Sequence, residues 1–144
     1  MVVVEPYERD VFYYETDRMG IVHHSNYIKW MEEARIDYLE QIGLPYEAME
    51  ASGILVPVLH VDFDYKLPFR FGDRFRIELG MDKFNGIKMN FKYRVYDAIS
   101  GELHGTGHSE HCFTNDQMGV LRLQTERKEL YAEIIEAIGW DKEK

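Results

Sequence analysis

The chain has 144 residues, of which 45% are hydrophobic and 30% charged, a balance that fits one globular domain spanning residues 1–144. Its net charge of −9 argues against a protein that grips nucleic acid through its phosphates, because that task needs clustered Lys and Arg. No apolar run approaches the roughly 20 residues of a membrane span, and Val2–Val4 is too short for a signal-peptide core. With Cys112 as the one cysteine, no internal disulfide can form, and a reducing cytoplasm is the expected setting.

Residues 7–13 read as a strand with Tyr7, Arg9, Val11 and Tyr13 on one face. A loop from Glu15 to Asn26 follows, with Ser25 and Asn26 as candidates to accept hydrogen bonds from the first free N–H groups of a helix. Tyr27, Trp30, Met31, Ala34, Tyr38, Leu39 and Ile42 then recur at helical spacing until Gly43 and Pro45. Glu32, Glu33 and Arg35 would form that helix's polar face. A short helix is expected over 46–51.

From there the period becomes two. Leu55, Leu59, Val61, Phe63 and Tyr65 alternate with polar or smaller neighbours, as do Phe75, Ile77 and Leu79. Ile87, Met89, Phe91, Tyr93 and Val95 make the cleanest strand, and Asn85-Gly86 before it signals a hairpin in which both residues tolerate positive φ. Residues 103–113 read as a last strand, loosened by Gly105 and Gly107. Thr125 is expected to cap a final helix bearing Leu130, Tyr131, Ile134, Ile135 and Ile138, ended by Gly139. The order predicts an α+β fold in which a five-stranded antiparallel sheet packs on one long helix. Its two open edges invite pairing with another copy.

Chemistry concentrates in Asp17-Arg-Met-Gly20-Ile-Val22-His23-His24-Ser-Asn26-Tyr27. The first N–H groups of a helix lack partners and point outward, so they can steady the negative oxygen of a carbonyl under attack. A carboxylate nearby can attack that carbon or activate water. The same residue types also suit a plain loop and cap. His104, His108 and His111 invite a metal reading, but His104 and His108 share one strand face and His111 the other, so no metal site is expected. Asp62 and Asp64 read as solvated, and Cys112 as a small buried group.

Asp17, Gly20, Val22, His23, His24, Asn26, Tyr27 and Trp30, with Asp64-Tyr-Lys-Leu-Pro68 and Gly72-Asp73 further on, resemble the 4-hydroxybenzoyl-CoA thioesterase family, in particular its Tol–Pal-associated members. The resemblance implies a hotdog fold, a homodimer or homotetramer with sites between protomers, and hydrolysis of an acyl-CoA thioester without a cofactor. It makes Asp17 the carboxylate nucleophile or general base and sets the His24 N–H toward the thioester oxygen. The His24 imidazole would assist acid–base steps or orient water. Gly20 would let the chain turn close to substrate, with Val22, His23, Asn26 and Tyr27 lining the site. Arg18 and Met19 depart from the small residues usual there. Lys66, Arg70, Arg74, Lys88 and Arg94 are the cations available to coenzyme A phosphates. Alternatives are a thioesterase acting on acyl-carrier protein, another enzyme of the same fold, or a non-catalytic acyl-CoA-binding scaffold.

Overall fold

The computed structural model describes residues 3–139. The elements run β1 (Tyr7–Asp10), α1 (Ser25–Gln41), α2 (Tyr46–Ala51), β2 (Val58–Tyr65), β3 (Arg74–Phe84), β4 (Lys88–Asp97), β5 (Leu103–Cys112), α3 (Leu123–Glu126) and α4 (Lys128–Ile138). The strands form the one five-stranded antiparallel sheet that the sequence pattern predicts, in the order β1-β3-β4-β5-β2. No helix among the described residues is long and apolar enough to cross a membrane.

α1 lies against one face of the sheet because its apolar stripe has nowhere else to go. Trp30, Met31 and Ala34 are at most 1% exposed. Trp30 stacks on Phe75 of β3 at 4.0 Å, Tyr38 meets Phe91 of β4 edge-on, and Tyr27 packs on Phe63 of β2. Burying each large side chain contributes about 1.5–3 kcal/mol, so this one stripe carries much of the core. Gly43, at φ 86°, ends the helix in the left-handed region.

β2 departs from the expected half-buried pattern. Its strand begins at Val58 rather than Leu55, and its residues are exposed except for the half-buried Phe63. The reason is topological: β2 is the edge of the sheet, so its alternation has no second layer to face. β1 is also shorter than its pattern. It stops at Asp10, and Tyr13 sits exposed in a 3-10 turn over Tyr13–Glu15.

Gly105 and Gly107 tighten β5 rather than loosening it. A Cβ on Gly107 would lie 2.9 Å from the Met31 sulfur and 3.0 Å from the Asp62 carbonyl, and one on Gly105 would strike the Phe63 ring. The glycines let Phe63 and α1 approach the strand. Where β5 meets β4, Val95 pairs with Gly105 but Tyr96 with Leu103, which leaves His104 as the extra residue of a bulge. His104 is therefore buried and stacks on Phe69 at 4.0 Å, while His108 on the same strand is exposed. The two do not share a face. In the hairpin only Gly86 takes positive φ, and the Asn85 side chain instead accepts from the N–H groups of Ile87 and Lys88. Thr125 does not cap α4: the chain breaks at Arg127, which links α3 to α4 and donates to the Ser52 carbonyl.

Arg35 belongs to no polar face. It is 5% exposed and donates to the Tyr93 hydroxyl at 3.1 Å. Tyr93 in turn shares a hydrogen bond with Ser109 at 2.6 Å, and Ser109 with His111 Nε2 at 2.8 Å. Burial, and then the Arg35 charge, push the fully buried His111 down to about 3 from an ordinary 6.5. The unfolded chain therefore takes up this proton first. Stability is complete above pH 6.5 and falls as the pH drops from there toward 3. Urea unfolding should show a loss of up to about 1.4 kcal/mol per pH unit from this group. His111→Gln should flatten the profile between pH 6.5 and 4.5, above the range in which carboxylates such as Glu15 protonate.

Candidate active site

The loop between β1 and α1 is held by a charged knot. Arg9 points inward from β1 and donates through Nη2 to Glu15 Oε2 at 2.9 Å and through Nε to Glu33 Oε1 at 2.8 Å. Glu15 also accepts from Trp30 Nε1 at 2.8 Å and from the Phe12 N–H at 2.8 Å. Burial alone would raise the Glu15 carboxyl, but these donors hold it below the usual carboxylate range. Glu33 is thus committed to Arg9 and to the Tyr7 hydroxyl. The alternation put Arg9 on one face with Tyr7 and Val11, but nothing in the periodicity marked Glu15 as its partner. The available signal was chemical: a buried Trp N–H and an inward Arg both require an acceptor.

From Glu15 the chain doubles back on itself. Thr16 bridges to Val22, the Asp17 N–H donates to the Ile21 carbonyl at 2.8 Å, and the Gly20 N–H donates to the Asp17 carbonyl at 2.9 Å. Gly20 closes this turn at φ 77°, a conformation that favours glycine. The half-buried Asp17 accepts the Met19 N–H on Oδ1 at 2.8 Å. Its second carboxylate oxygen has no partner among the described residues.

The helix start differs from expectation. Asn26 does not cap by accepting. It is buried, and its Nδ2 donates to the carbonyls of Glu15 at 2.9 Å and His23 at 3.3 Å. His23 fills the capping role, since its Nδ1 accepts the Ser25 N–H at 3.2 Å and lies 2.9 Å from the Ser25 hydroxyl. The His24 N–H finds no acceptor among the described residues. The His23 and His24 rings are exposed and lie 4.2 Å apart. The Tyr65 hydroxyl donates to the His24 carbonyl at 3.2 Å.

Asp17, Gly20, His23 and His24 therefore reach the surface together, while Val22, Asn26 and Tyr27 support them from below. Val22 is tied to the Phe69 carbonyl at 2.8 Å. Tyr27 packs among Trp30, Phe63, Tyr65 and Phe69, and burial pushes its hydroxyl up to about 12, so it stays protonated at neutral pH. Arg70 joins the group from 50 residues away in sequence, through its bridge to Ile21, with its guanidinium beside Gly20. Sequence spacing could not have selected it over the other cations. Of those, Arg74 is paired with Glu8 and Asp10, and Lys88 with Glu110. Asp62 is exposed and paired with His60 and His108. No cluster of three metal-binding side chains occurs among the described residues.

Larger clefts lie elsewhere among the described residues. One of about 560 Å³ separates α2 from the α3–α4 junction, and one of about 450 Å³ opens beside Arg35.

This loop, helix and sheet define a class. Residues 11–138 match the thioesterase-like superfamily, and the chain belongs to it. YneP of Bacillus subtilis, a protein named as an acyl-CoA thioesterase, is 38% identical over 104 residues, 72% of this chain and 75% of that one. The acyl-CoA thioester hydrolase YbgC of Escherichia coli is 27% identical over 61% of this chain and 66% of its own. Among solved structures, the DHNA-CoA thioesterase of Staphylococcus aureus superposes with a TM-score of 0.86 at 28% identity, over 92% of this chain and 89% of that one. The fold is the hotdog fold that the resemblance implied.

The knot generates a test. Glu15→Ala leaves Arg9 and the Trp30 N–H short of an acceptor and should cost about 3 kcal/mol in urea unfolding. Thr16→Ala, on the exposed side of the same loop, should cost less than about 1 kcal/mol.

Proposed function

We propose that this protein hydrolyses an acyl-CoA thioester to the free acid and coenzyme A. The reading is supported by two open groups on the loop before α1, the second Asp17 carboxylate oxygen and the His24 N–H, which have no partner among the described residues. The thioester oxygen would accept from the His24 N–H, where the helix dipole favours developing negative charge. Asp17 would then attack the carbonyl carbon directly or take a proton from an attacking water. The tetrahedral intermediate expels coenzyme A as a thiolate, a good leaving group that needs no metal to assist it; after direct attack, water then hydrolyses the acyl–Asp17 anhydride to the free acid and restores the carboxylate. His24, exposed at the start of α1, would hand on protons or orient the water. Gly20 and His23 would border the acyl group, with Val22, Asn26 and Tyr27 setting the shape beneath it. Arg70, beside Gly20, is the cation best placed for a coenzyme A phosphate.

Within the superfamily, the motif from Asp17 to Tyr27 favours the 4-hydroxybenzoyl-CoA thioesterase type. The single buried Cys112 suits a cytoplasmic setting.

The reading includes a second copy. Asp17 is half-buried and His24 exposed, so one chain alone offers the acyl group little cover. β2 is an eight-residue edge strand that exposes Val58, Leu59, Val61 and Tyr65, the kind of edge that pairs with another. Edge-to-edge pairing of β2 would make a homodimer, which could pair again into a homotetramer.

The central test is thiol release from short, medium and long aliphatic acyl-CoAs and from benzoyl and hydroxybenzoyl-CoA. Asp17→Asn should lower kcat by about 100-fold or more on the best substrate while still binding it. Turnover indifferent to the mutation, or absent on every member, would reject the role of Asp17 and favour a carrier-protein substrate or a binding protein. Val61→Lys should shift the protein to monomer by light scattering and remove activity with it. An active monomer would remove the second copy from the site.

A further inference from the structure

Tyr65 stands at the last position of β2 and is 52% exposed. Its hydroxyl nevertheless donates to the His24 carbonyl at 3.2 Å, across 41 positions of chain. α1 does not need that bond. A carbonyl at the start of a helix is satisfied from within the helix, and the His24 carbonyl already accepts the Tyr27 N–H at 3.3 Å. What a helix start lacks is acceptors for its N–H groups, and the Tyr65 hydroxyl is spent as a donor. The bond matters for what it holds in place.

The free N–H of His24 belongs to the peptide between His23 and His24, and the chain is tied down on both sides of that peptide. Before it, the His23 N–H donates to the Glu15 carbonyl at 2.8 Å. After it, the peptide between His24 and Ser25 is bonded at both ends. Its N–H donates to His23 Nδ1 at 3.2 Å, and its carbonyl accepts from Tyr65. Hydrogen bonds joined through one peptide polarise and strengthen each other. The His24 backbone is helical, at φ −55° and ψ −29°, where a residue before a helix is more often extended, and its own side chain makes no capping bond. The direction of its N–H is therefore set by these anchors, and Tyr65 is the one that comes from the sheet.

Tyr65 is itself firmly placed. Its ring meets Tyr27 edge-on at 5.2 Å and Phe63 at 4.9 Å, and its backbone pairs with Gly105. β2 stops immediately after it, where the N–H groups of Lys66 and Leu67 both donate to the His104 carbonyl, at 2.9 and 3.1 Å. His104 is the bulge residue of β5. The bulge thus fixes where β2 ends and how far the Tyr65 hydroxyl reaches toward α1.

We propose that Tyr65 is a positioning residue for thioester hydrolysis: its hydroxyl fixes the backbone at His24 so that the free N–H points at the oxygen on which negative charge develops. The proposal rests on the thioesterase reading above. A donor steadies developing charge best when it is in place before the charge appears. Loss of the hydroxyl is therefore felt in turnover and not in substrate binding. Because β2 is the strand proposed to face a second copy, Tyr65 also connects that edge to the start of α1.

The experiment compares the full-length wild type with Tyr65→Phe, which removes the hydroxyl and keeps the ring, on the best acyl-CoA of the thiol-release panel. In Tyr65→Phe, kcat should fall about tenfold while KM changes less than about twofold, with Tm and oligomer size as in the wild type. Tyr13→Phe, which removes an exposed hydroxyl elsewhere on the loop before α1, should leave kcat unchanged. A wild-type kcat in Tyr65→Phe overturns the proposal and leaves the thioesterase reading untouched. An equal loss in Tyr13→Phe, a rise in KM without a fall in kcat, or a drop in Tm or oligomer size that accounts for the lost turnover overturns it as well. No turnover by the wild type on any acyl-CoA removes the thioesterase reading and this proposal together.

Discussion

The contact between Arg9 and Glu15 carries more of this structure than its single ion pair suggests. Arg9 belongs to a strand at the sheet edge and Glu15 to the loop, and the same carboxylate takes the N–H of Trp30 from the centre of α1. One side chain therefore ties sheet, loop and helix together. The Glu15 backbone continues the work, since its carbonyl accepts from the His23 N–H and from Asn26 Nδ2. The ends of the loop are fixed on both sides of Asp17, and the turn at Gly20 projects between them. A catalytic group can sit on a short loop and still be held in place when the loop's anchors are buried and fully bonded.

Two inward-facing arginines, the half-buried Arg9 and the buried Arg35, make an instructive contrast. Arg9 has two carboxylates and is stacked over the Phe12 and Phe75 rings at 4.2 and 5.0 Å, so its charge is locally balanced. Arg35 has phenols and a neutral histidine. The first arrangement builds architecture. The second leaves an unbalanced charge in a protein whose net charge is −9, and that imbalance faces a cleft. The fold balances the half-buried Arg9 with carboxylates and aromatic rings and withdraws Arg35 from water with neutral partners.

The sheet shows the same division between sealed and open. β3 and β4 bury Phe75, Ile77, Phe91, Tyr93 and Val95 to within 1% exposure beneath α1. β2, equally apolar in sequence, is left at the edge. Its residues alternate as in the central strands, so pattern alone could not reveal that β2 lies outside them. The chain order does not place β2 either, because it pairs with the last strand and not with β3. The corrections in β5 have a similar origin. Gly105 and Gly107 look like weak points in a strand until Phe63 is seen crossing them, and His104 changes sides through a bulge that no periodicity predicts.

By itself the sequence determined what depends on neighbours along the chain: the α1 stripe, the short α2, the strands β3 and β4, and the run from Asp17 to Tyr27. These are properties of local period and contiguity. Tertiary structure decided what depends on residues far apart. It brought Arg70 and Tyr65 to the Asp17 loop, turned Asn26 from cap into brace, and buried Glu15 as the acceptor for Arg9 and Trp30. It also withdrew Arg35 from water. The physical reason is that a buried polar group is fixed by whichever partner satisfies it, and the partners of Glu15 and Arg35 include residues 6, 15 and 58 positions away along the chain. Spacing shows which faces are apolar. Only the packed chain shows which charges are matched across them and which one is left over.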